Sequence, residues 1–519
     1  MCQERLMAGI NIGAILRNAA LAFPRKEALV DAARDKRYSY RELHDRVNKL
    51  ANALLAMGIE KGDFVAVLCT NRTEFVELYF ACAKTGGIIA PLNYRLSAGE
   101  IVNLVNFIEA KVFVYAEEFK GLVQTAGEEL GARRRILIGE GATDGDELYE
   151  EILANQSVNE PDVEIDEHDP MMVLFTSGTT GLPKGILQSQ YVICLNALME
   201  YSFSNYTQND NILIVLPLYA GAGFLHVFAA VYGRAKMVVR DFEPAGVMQT
   251  IERESISFSS WVATMAWVVL QSPALDQYSR DSLRGVSFIG APLPIPVLEG
   301  VWQRITPNVY EYYGLQDAGF VASITPEVKR EKPGSCGAAA PLTDIMIVDH
   351  DGKEVPRGEV GEVLIRTVSS PGGYYKEKEK TKETFKNGWM HSKDLGKFDE
   401  DGYLYLVGRK SEMIISGGQN IFATEIEEVL LAQPGVADVA VVGLPDEKWG
   451  EAVTAVIVLK PDTGISEEDV LGYSRKTLAD YKVPKRVIFT DDIPRTPTGK
   501  VRKFILIERY SVTMRQPGL

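Results

Sequence analysis

Short apolar runs alternate with helix-length segments from about residue 25 to residue 350, and this alternation constrains the fold more than any other feature of the chain. FVAVLC is followed by TEFVELYFACAKTG and then by GIIAPLN; further along come RILIG, MVLFTSG, ILIVL and KMVVRD. Strands apolar along their whole length are buried on both faces, and strands separated by helices pair in parallel. The pattern therefore predicts layered α/β architecture with parallel sheets. A chain of 519 residues exceeds one hydrophobic core, so two or three units are expected. With 46% hydrophobic and 24% charged residues, core formation is assured and disorder is set aside.

Beyond Pro341 the texture changes to shorter, charged strands such as DIMIVDHDGKEV, GEVLIRT and GYLYLVGRKSEMI, with hairpin turns at DHDG and DEDG. After Arg409 come a helix (TEIEEVLLAQ), two strands (VADVAVVGL, EAVTAVIVL), a helix opened by Ser466 with Asp469 three residues on, and the strand KRVIFTD. We read this as a compact α+β unit, with domains at 1–408 and 409–519 and the boundary in GRKSE.

The stretch Ile212 to Gly233, ILIVLPLYAGAGFLHVFAAVYG, has 22 residues and no formally charged side chain apart from the titratable His226, long enough to cross a bilayer. Pro217 and three glycines interrupt it, so it reads instead as a buried strand, a turn and a packed helix. The N-terminal INIGAILRNAALAF, interrupted by Asn11, Arg17 and Asn18, reads as an amphipathic helix ended by Pro24, not as a signal peptide. A formal charge of −15 disfavours nonspecific binding to nucleic acid or anionic lipid, so an anionic ligand must meet local cations. Five widely spaced cysteines without a CxxC pair suggest neither a disulfide framework nor a zinc site, and a reducing, cytoplasmic location is expected.

TSGTTGLPKG, residues 176 to 185, has the small hydroxyl and glycine composition of a loop that wraps oxyanions, but it is not the GxxxxGK[ST] loop, because Pro183 precedes the lysine. Taken alone, it fits either an anion nest with Lys184 as a point charge or a Gly/Ser/Thr surface turn. It is followed by IGAPLP (289–294), YYGLQD (312–317), GWMHSKDLG (388–396), GRKSEMIISGGQNIFATEIE (408–427) and PRTPTGK (494–500). Together these motifs resemble, in order and across essentially the whole chain, the adenylate-forming superfamily, which includes AMP-forming acyl-CoA synthetases, luciferases and peptide-synthetase adenylation domains.

The resemblance implies a large N-terminal multi-sheet domain and a small mobile C-terminal domain. It also implies a reaction in which a carboxylate attacks the α-phosphate of ATP, pyrophosphate leaves, and a thiol then attacks the acyl adenylate. On that footing Thr176, Ser177, Gly178, Thr179, Thr180 and Lys184 hold the β- and γ-phosphates. Gly290, Ala291 and Tyr313 flank adenine, while Asp394 and Arg409 meet the ribose. Lys500 reaches the α-phosphate and carboxylate oxygens, which requires closure about a hinge at 409–411 that includes Ser411. In the second half-reaction Gly417 and Gly418 border the pantetheine channel, and Trp449, Tyr481 and Lys485 match positions that contact the CoA nucleotide in some relatives. Trp449 and Tyr481 equally suit simple packing of the small domain.

Three segments depart from the usual pattern. Gln316 and Asp317 stand where a threonine and a Mg²⁺-coordinating glutamate are usual, so Asp317, one methylene shorter, is the expected metal ligand. Lys393 stands where glycine is usual before the ribose aspartate, and Ser411 where Asp or Lys is common. PLYAGAG lacks the histidine many relatives carry; Tyr219, Ala220 and Gly221, with Gly314 and Trp261, suggest an apolar acyl pocket suited to a medium- or long-chain fatty, alicyclic or aryl acid. The expectation is an AMP-forming carboxylic acid:CoA ligase using ATP, Mg²⁺ and CoA, with homo-oligomers among the admissible assemblies. A ligase loading a separate carrier protein, a luciferase-like oxygenase and a weakly catalytic ATP- or CoA-binding homologue are the alternatives; with 19 residues after Lys500, no carrier follows it in this sequence.

Overall fold

The helix Thr73–Thr85 shows how the layers are built, because every one of its residues is buried, its charged side chains included. Its two carboxylates need partners there: Lys36 pairs with Glu74 at 2.5 Å, while Arg46 Nε and Tyr149 OH donate to Glu77 at 2.7 and 2.8 Å. The structure is a computed structural model that describes residues 11–141, 145–176, 184–417, 419–446, 448–461, 463–495 and 500–513.

Among the described residues four sheets form. In the nine-stranded sheet, parallel strands Asn211–Ile214, Phe258–Trp261, Gly285–Phe288 and Val309–Leu315 lie side by side, with Lys236–Val239 and Glu27–Asp31 continuing beyond the first. A seven-stranded sheet centres on Val112–Ala116, Phe64–Leu68 and Ile88–Pro91, again parallel. The period-2 alternation of strand side chains assigns each face to its own core: Val65 and Val67 pack with the inner helices, and Phe64, Ala66 and Leu68 with the outer ones. The inner core gathers residues of helices Ile12–Ala22, Tyr40–Ala56, Thr73–Thr85, Gln190–Ser204 and Gly221–Gly233 together with strands of both large sheets, so those helices form a layer between the sheets.

The apolar 212–233 stretch resolves into the strand Asn211–Ile214 and the helix Gly221–Gly233, and no described helix is long and apolar enough to cross a membrane. The intervening loop is clamped from the buried helix and its N-terminal flank. Asn71 Nδ2 donates to Leu216 O at 3.0 Å and its Oδ1 accepts from Leu218 N at 2.9 Å, while Tyr79 OH donates to Leu218 O.

A five-stranded antiparallel sheet follows, in which Trp389–Phe398 and Leu404–Arg409 form the hairpin expected at DEDG; Asp399 Oδ1 accepts from the Asp401 and Tyr403 amides to close it. The last sheet is built from Met413–Ser416, Gln419–Phe422, Val436–Asp446, Gly450–Leu459 and Arg486–Phe489. Its helix Glu467–Thr477 begins with the Ser466/Asp469 capping box. The chain thus comprises a large N-terminal multi-sheet α/β unit and a smaller C-terminal α+β unit, joined through the short turn Lys410–Glu412.

Candidate active site

Strand Pro170–Thr176 pairs antiparallel with Lys184–Ser189, with Thr176 opposite Lys184, so residues 177–183 connect the arms of a hairpin. Ser177, Gly178, Thr179 and Thr180 lie outside the described residues. At the base of the hairpin, Tyr375 N donates to Gly185 O at 2.7 Å and brings the preceding Tyr374 over Lys184, whose Nζ is 4.5 Å from the ring centroid. The Tyr374 hydroxyl donates in turn to Asp317 Oδ2. Burial lowers the pKa of Lys184, opposed by Asp317 and reinforced by Lys393 and Lys380. The sequence reading missed Tyr374; an aromatic after two glycines in PGGYYKE carries no signal of its own, because its partners are some 60 and 190 residues upstream.

Asp317 follows the strand Val309–Leu315, and its backbone is pinned on both sides: Gln188 Nε2 donates to Gln316 O at 3.1 Å, and Ser370 Oγ donates to Asp317 O at 2.8 Å. Burial pushes the Asp317 carboxyl up, while the Tyr374 hydrogen bond and the charges of Lys184, Arg409 and Lys393 pull it down. A half-buried carboxylate whose ionised form is penalised by desolvation offers the hard oxygen ligand that a divalent cation takes.

Three motifs that are distant in sequence meet at Asp394, which is 5% exposed. Tyr313 OH donates to its Oδ2 at 2.5 Å, Arg409 Nε lies 2.8 Å from its Oδ1, and Asp394 N donates to Ser392 Oγ at 3.0 Å. Asp394 and Arg409 are also register partners in the DEDG hairpin. Tyr313 is 9% exposed and packs with Val321, Ala322 and Leu404, so most of its ring belongs to the core and its hydroxyl anchors the aspartate. Gly290 and Ala291 follow the end of the adjacent parallel strand Gly285–Phe288, at the carboxyl edge of the sheet where α/β enzymes bind ligands.

Lys500 comes to this cluster from the C-terminal unit. Its side chain keeps solvent contact, yet the protein surrounding it lowers its pKa; Arg409 acts in the same sense, and Asp394 and Glu412 oppose it. These influences set Lys500 within electrostatic reach of Asp394 and Arg409. Lys393 adopts φ +62°, the left-handed region that favours glycine, so the lysine is held in a backbone conformation glycine would take without strain.

At one end of the small sheet, Gly417 N donates to Trp449 O at 2.8 Å. A Cβ on Gly417 would stand 3.0 Å from the indole, and its φ of +57° disfavours any side chain. Lys485 Nζ lies 5.4 Å from the Trp449 ring centroid, so these three residues form one group, while Tyr481 is 42% exposed beside Lys482. Gly418 lies outside the described residues. Ser411 is exposed within the Lys410–Glu412 turn.

Tyr219, Ala220 and Gly221 lead into the helix Gly221–Gly233, and a Cβ on Gly221 would lie 3.7 Å from Gln316 Cγ, which joins the loop to the strand end. Trp261 is not brought to this group. It is fully buried on the outer face of its strand, its indole N–H donating to Ser259 Oγ at 2.9 Å, whereas Phe258 faces the inner core. Nor does Gly314 open space by lacking a side chain: a Cβ there would stand 2.7 Å from Gly319 O, so the glycine is required by the close approach of the two paired strands.

A two-part α/β fold, with a polar cluster at the carboxyl edge of its largest sheet and a lysine supplied by the C-terminal unit, defines a nucleotide-handling enzyme of the adenylate-forming class. The chain belongs to the AMP-binding enzyme family: the family profile matches residues 16–375, and that of the AMP-binding enzyme C-terminal domain matches residues 425–500. It is 34% identical to the long-chain-fatty-acid–CoA ligase FadD13 of Mycobacterium tuberculosis, over 97% of this chain and 99% of that one. It is also 34% identical to the indoleacetate–CoA ligase of Aromatoleum aromaticum, over 94% and 95%. Among solved structures, ATP-bound MatB from Rhodopseudomonas palustris superposes with a TM-score of 0.89 at 31% identity, covering 97% of this chain and 99% of that one; the apo form of the same protein gives 0.79.

Proposed function

We propose that this protein is an AMP-forming carboxylic acid:CoA ligase acting on an apolar fatty, alicyclic or aryl acid. The observation that carries the reading is the convergence of Tyr313, Asp394 and Arg409, with Lys500 of the C-terminal unit in reach of the same carboxylate. Greater likeness to the ATP-bound than to the apo form of one solved relative supports taking this arrangement as the adenylating one.

Asp394 then accepts from the ribose hydroxyls, with Arg409 steadying the carboxylate, and Gly290, Ala291 and the exposed edge of Tyr313 border the adenine. Thr176, the loop through Thr180 and Lys184 hold the β- and γ-phosphates so that pyrophosphate leaves in line. Asp317 would hold the Mg²⁺ that accompanies ATP, an ion that offsets polyphosphate charge. Lys500 places its ammonium between the acid's carboxylate and the α-phosphate, lowering their repulsion as the new P–O bond forms. Rotation about residues 409–411, with Ser411 exposed in the turn, withdraws Lys500 and brings Gly417 and Gly418 to the thiol, with Trp449, Tyr481 and Lys485 toward the CoA nucleotide.

The deciding experiment incubates the protein with ATP, Mg²⁺, CoA and a broad panel of acids, following pyrophosphate and acyl-CoA. Both products are expected. Pyrophosphate without thioester would point to a carrier-protein acceptor, and ATP binding with no turnover on any acid would sink the enzymatic reading.

Lys393 gives a second check. Lys393→Gly relieves the left-handed strain and is expected to stabilise the fold by about 0.5–1 kcal/mol after the added chain entropy of glycine. It also removes a cation whose field reaches Lys184 and Asp317, so KM for ATP should rise about 3- to 10-fold. A higher Tm with an unchanged KM would mean that the lysine serves only the backbone.

A further inference from the structure

We infer that Glu200, His226 and Tyr312 recognise the far end of the acid, and that the acid carries a hydroxyl group there. This rests on the ligase reading and narrows its substrate class.

Glu200 and His226 are 0% and 2% exposed, on facing helices of the inner layer. Their near sides are partnered: His226 Nδ1 lies 3.2 Å from Glu200 Oε1 and 3.1 Å from Tyr206 OH, and Ser204 Oγ donates to Glu200 Oε1 at 2.5 Å. Their far sides are not. His226 Nε2, Glu200 Oε2 and the hydroxyl of Tyr312 are buried without a hydrogen-bond partner among the described residues. Burial first, and the charge of Glu200 second, raise the pKa of Tyr312, which agrees with the phenol standing beside that carboxylate. Three such atoms are costly in an apolar core unless a polar group meets them.

The cluster sits where the far end of an acyl group would reach. Helix Gly221–Gly233 begins beside Gln316, and His226 is five residues further in, about 7.5 Å along the axis. Tyr312 lies four residues before Gln316, on the strand that leads to it, about 13 Å back along the chain. Both elements therefore lead inward from the region expected for the carboxylate to the polar cluster, about 7.5 to 13 Å along the chain, the reach of an arylpropanoate or a medium-length alkyl chain. A hydroxyl has one proton to give and two lone pairs to receive, so with hydrogen on His226 Nε2 it gives to Glu200 Oε2 and receives from His226 and Tyr312; an ammonium only gives, and a methyl does neither.

The test uses the full chain with ATP, Mg²⁺ and CoA on matched acids: para-hydroxyphenylpropanoate against phenylpropanoate, and omega-hydroxyoctanoate against octanoate. In the pair whose length suits the pocket, the hydroxy acid should be preferred in kcat/KM by about 100-fold, because its absence strands the buried polar atoms. Tyr312→Phe removes one oxygen and leaves the ring stacked on Phe320, so it should fold, and the preference should fall about 10-fold. Equal use of both members of each pair, or a preference that Tyr312→Phe does not change, would mean that the cluster holds only water and would overturn the inference while leaving the ligase intact. Absence of turnover on any acid would overturn the ligase reading, and this one with it.

Discussion

Lys500→Ala should slow acyl-adenylate formation by about 10²- to 10³-fold while leaving thioester formation from a supplied acyl adenylate within about twofold of wild type. The asymmetry follows from where the lysine acts. In the proposed role its ammonium would relieve repulsion between a carboxylate and the α-phosphate, a repulsion that exists only before the adenylate forms. On the proposed scheme the C-terminal unit turns about residues 409–411 for the second half-reaction, and Gly417 rather than Lys500 would then face the reacting centre. Equal losses in both half-reactions would contradict the two-arrangement scheme. The same residue sets an expected pH dependence. The surrounding protein and Arg409 lower its pKa, so the cationic form is lost at lower pH than for an ordinary lysine. The alkaline limb of kcat/KM for ATP in the adenylation step should therefore fall below the usual lysine range and move upward in Lys500→Arg, because guanidinium stays charged.

Much of this molecule was legible from sequence where the cause is local. The alternation of continuous apolar runs with helix-length segments predicted the layered α/β architecture, the glycines and Pro217 separated the strand from the helix in 212–233, and Ser466 with Asp469 marked a helix start that the capping box bears out. Contacts set by distant parts of the chain were not legible. Trp261 was expected beside the acyl group on composition, but strand alternation turns it to the outer core. Gly314 was expected at the acyl pocket, whereas the return of Gly319 makes it a steric necessity. Tyr374, which links Lys184 to Asp317, and the buried Glu200 and His226 carry no local pattern, since each is defined only by what the fold brings against it. Lys393 lies between these cases: the departure from glycine is visible in the sequence, and its left-handed φ is not.

Asp394→Ala should raise KM for ATP by about 100-fold and destabilise the protein by about 2 kcal/mol, seen as a lower thermal midpoint. Two contributions are separable. The structural one comes mainly from Tyr313, whose enclosed hydroxyl loses its acceptor; the Arg409 contact adds less, because that guanidinium is 44% exposed and its ion pair is screened by water. The binding contribution comes from the carboxylate oxygens that the ribose hydroxyls would meet. Tyr313→Phe distinguishes them, because it removes the hydroxyl together with its need for a partner and leaves Asp394 and Arg409 in place. Its KM for ATP should rise only about threefold, far below the Asp394→Ala effect, with stability changed by less than about 1 kcal/mol. If Tyr313→Phe weakened ATP as severely as Asp394→Ala, the aspartate would be acting through the tyrosine's position, and direct contact with the ribose would be the wrong assignment.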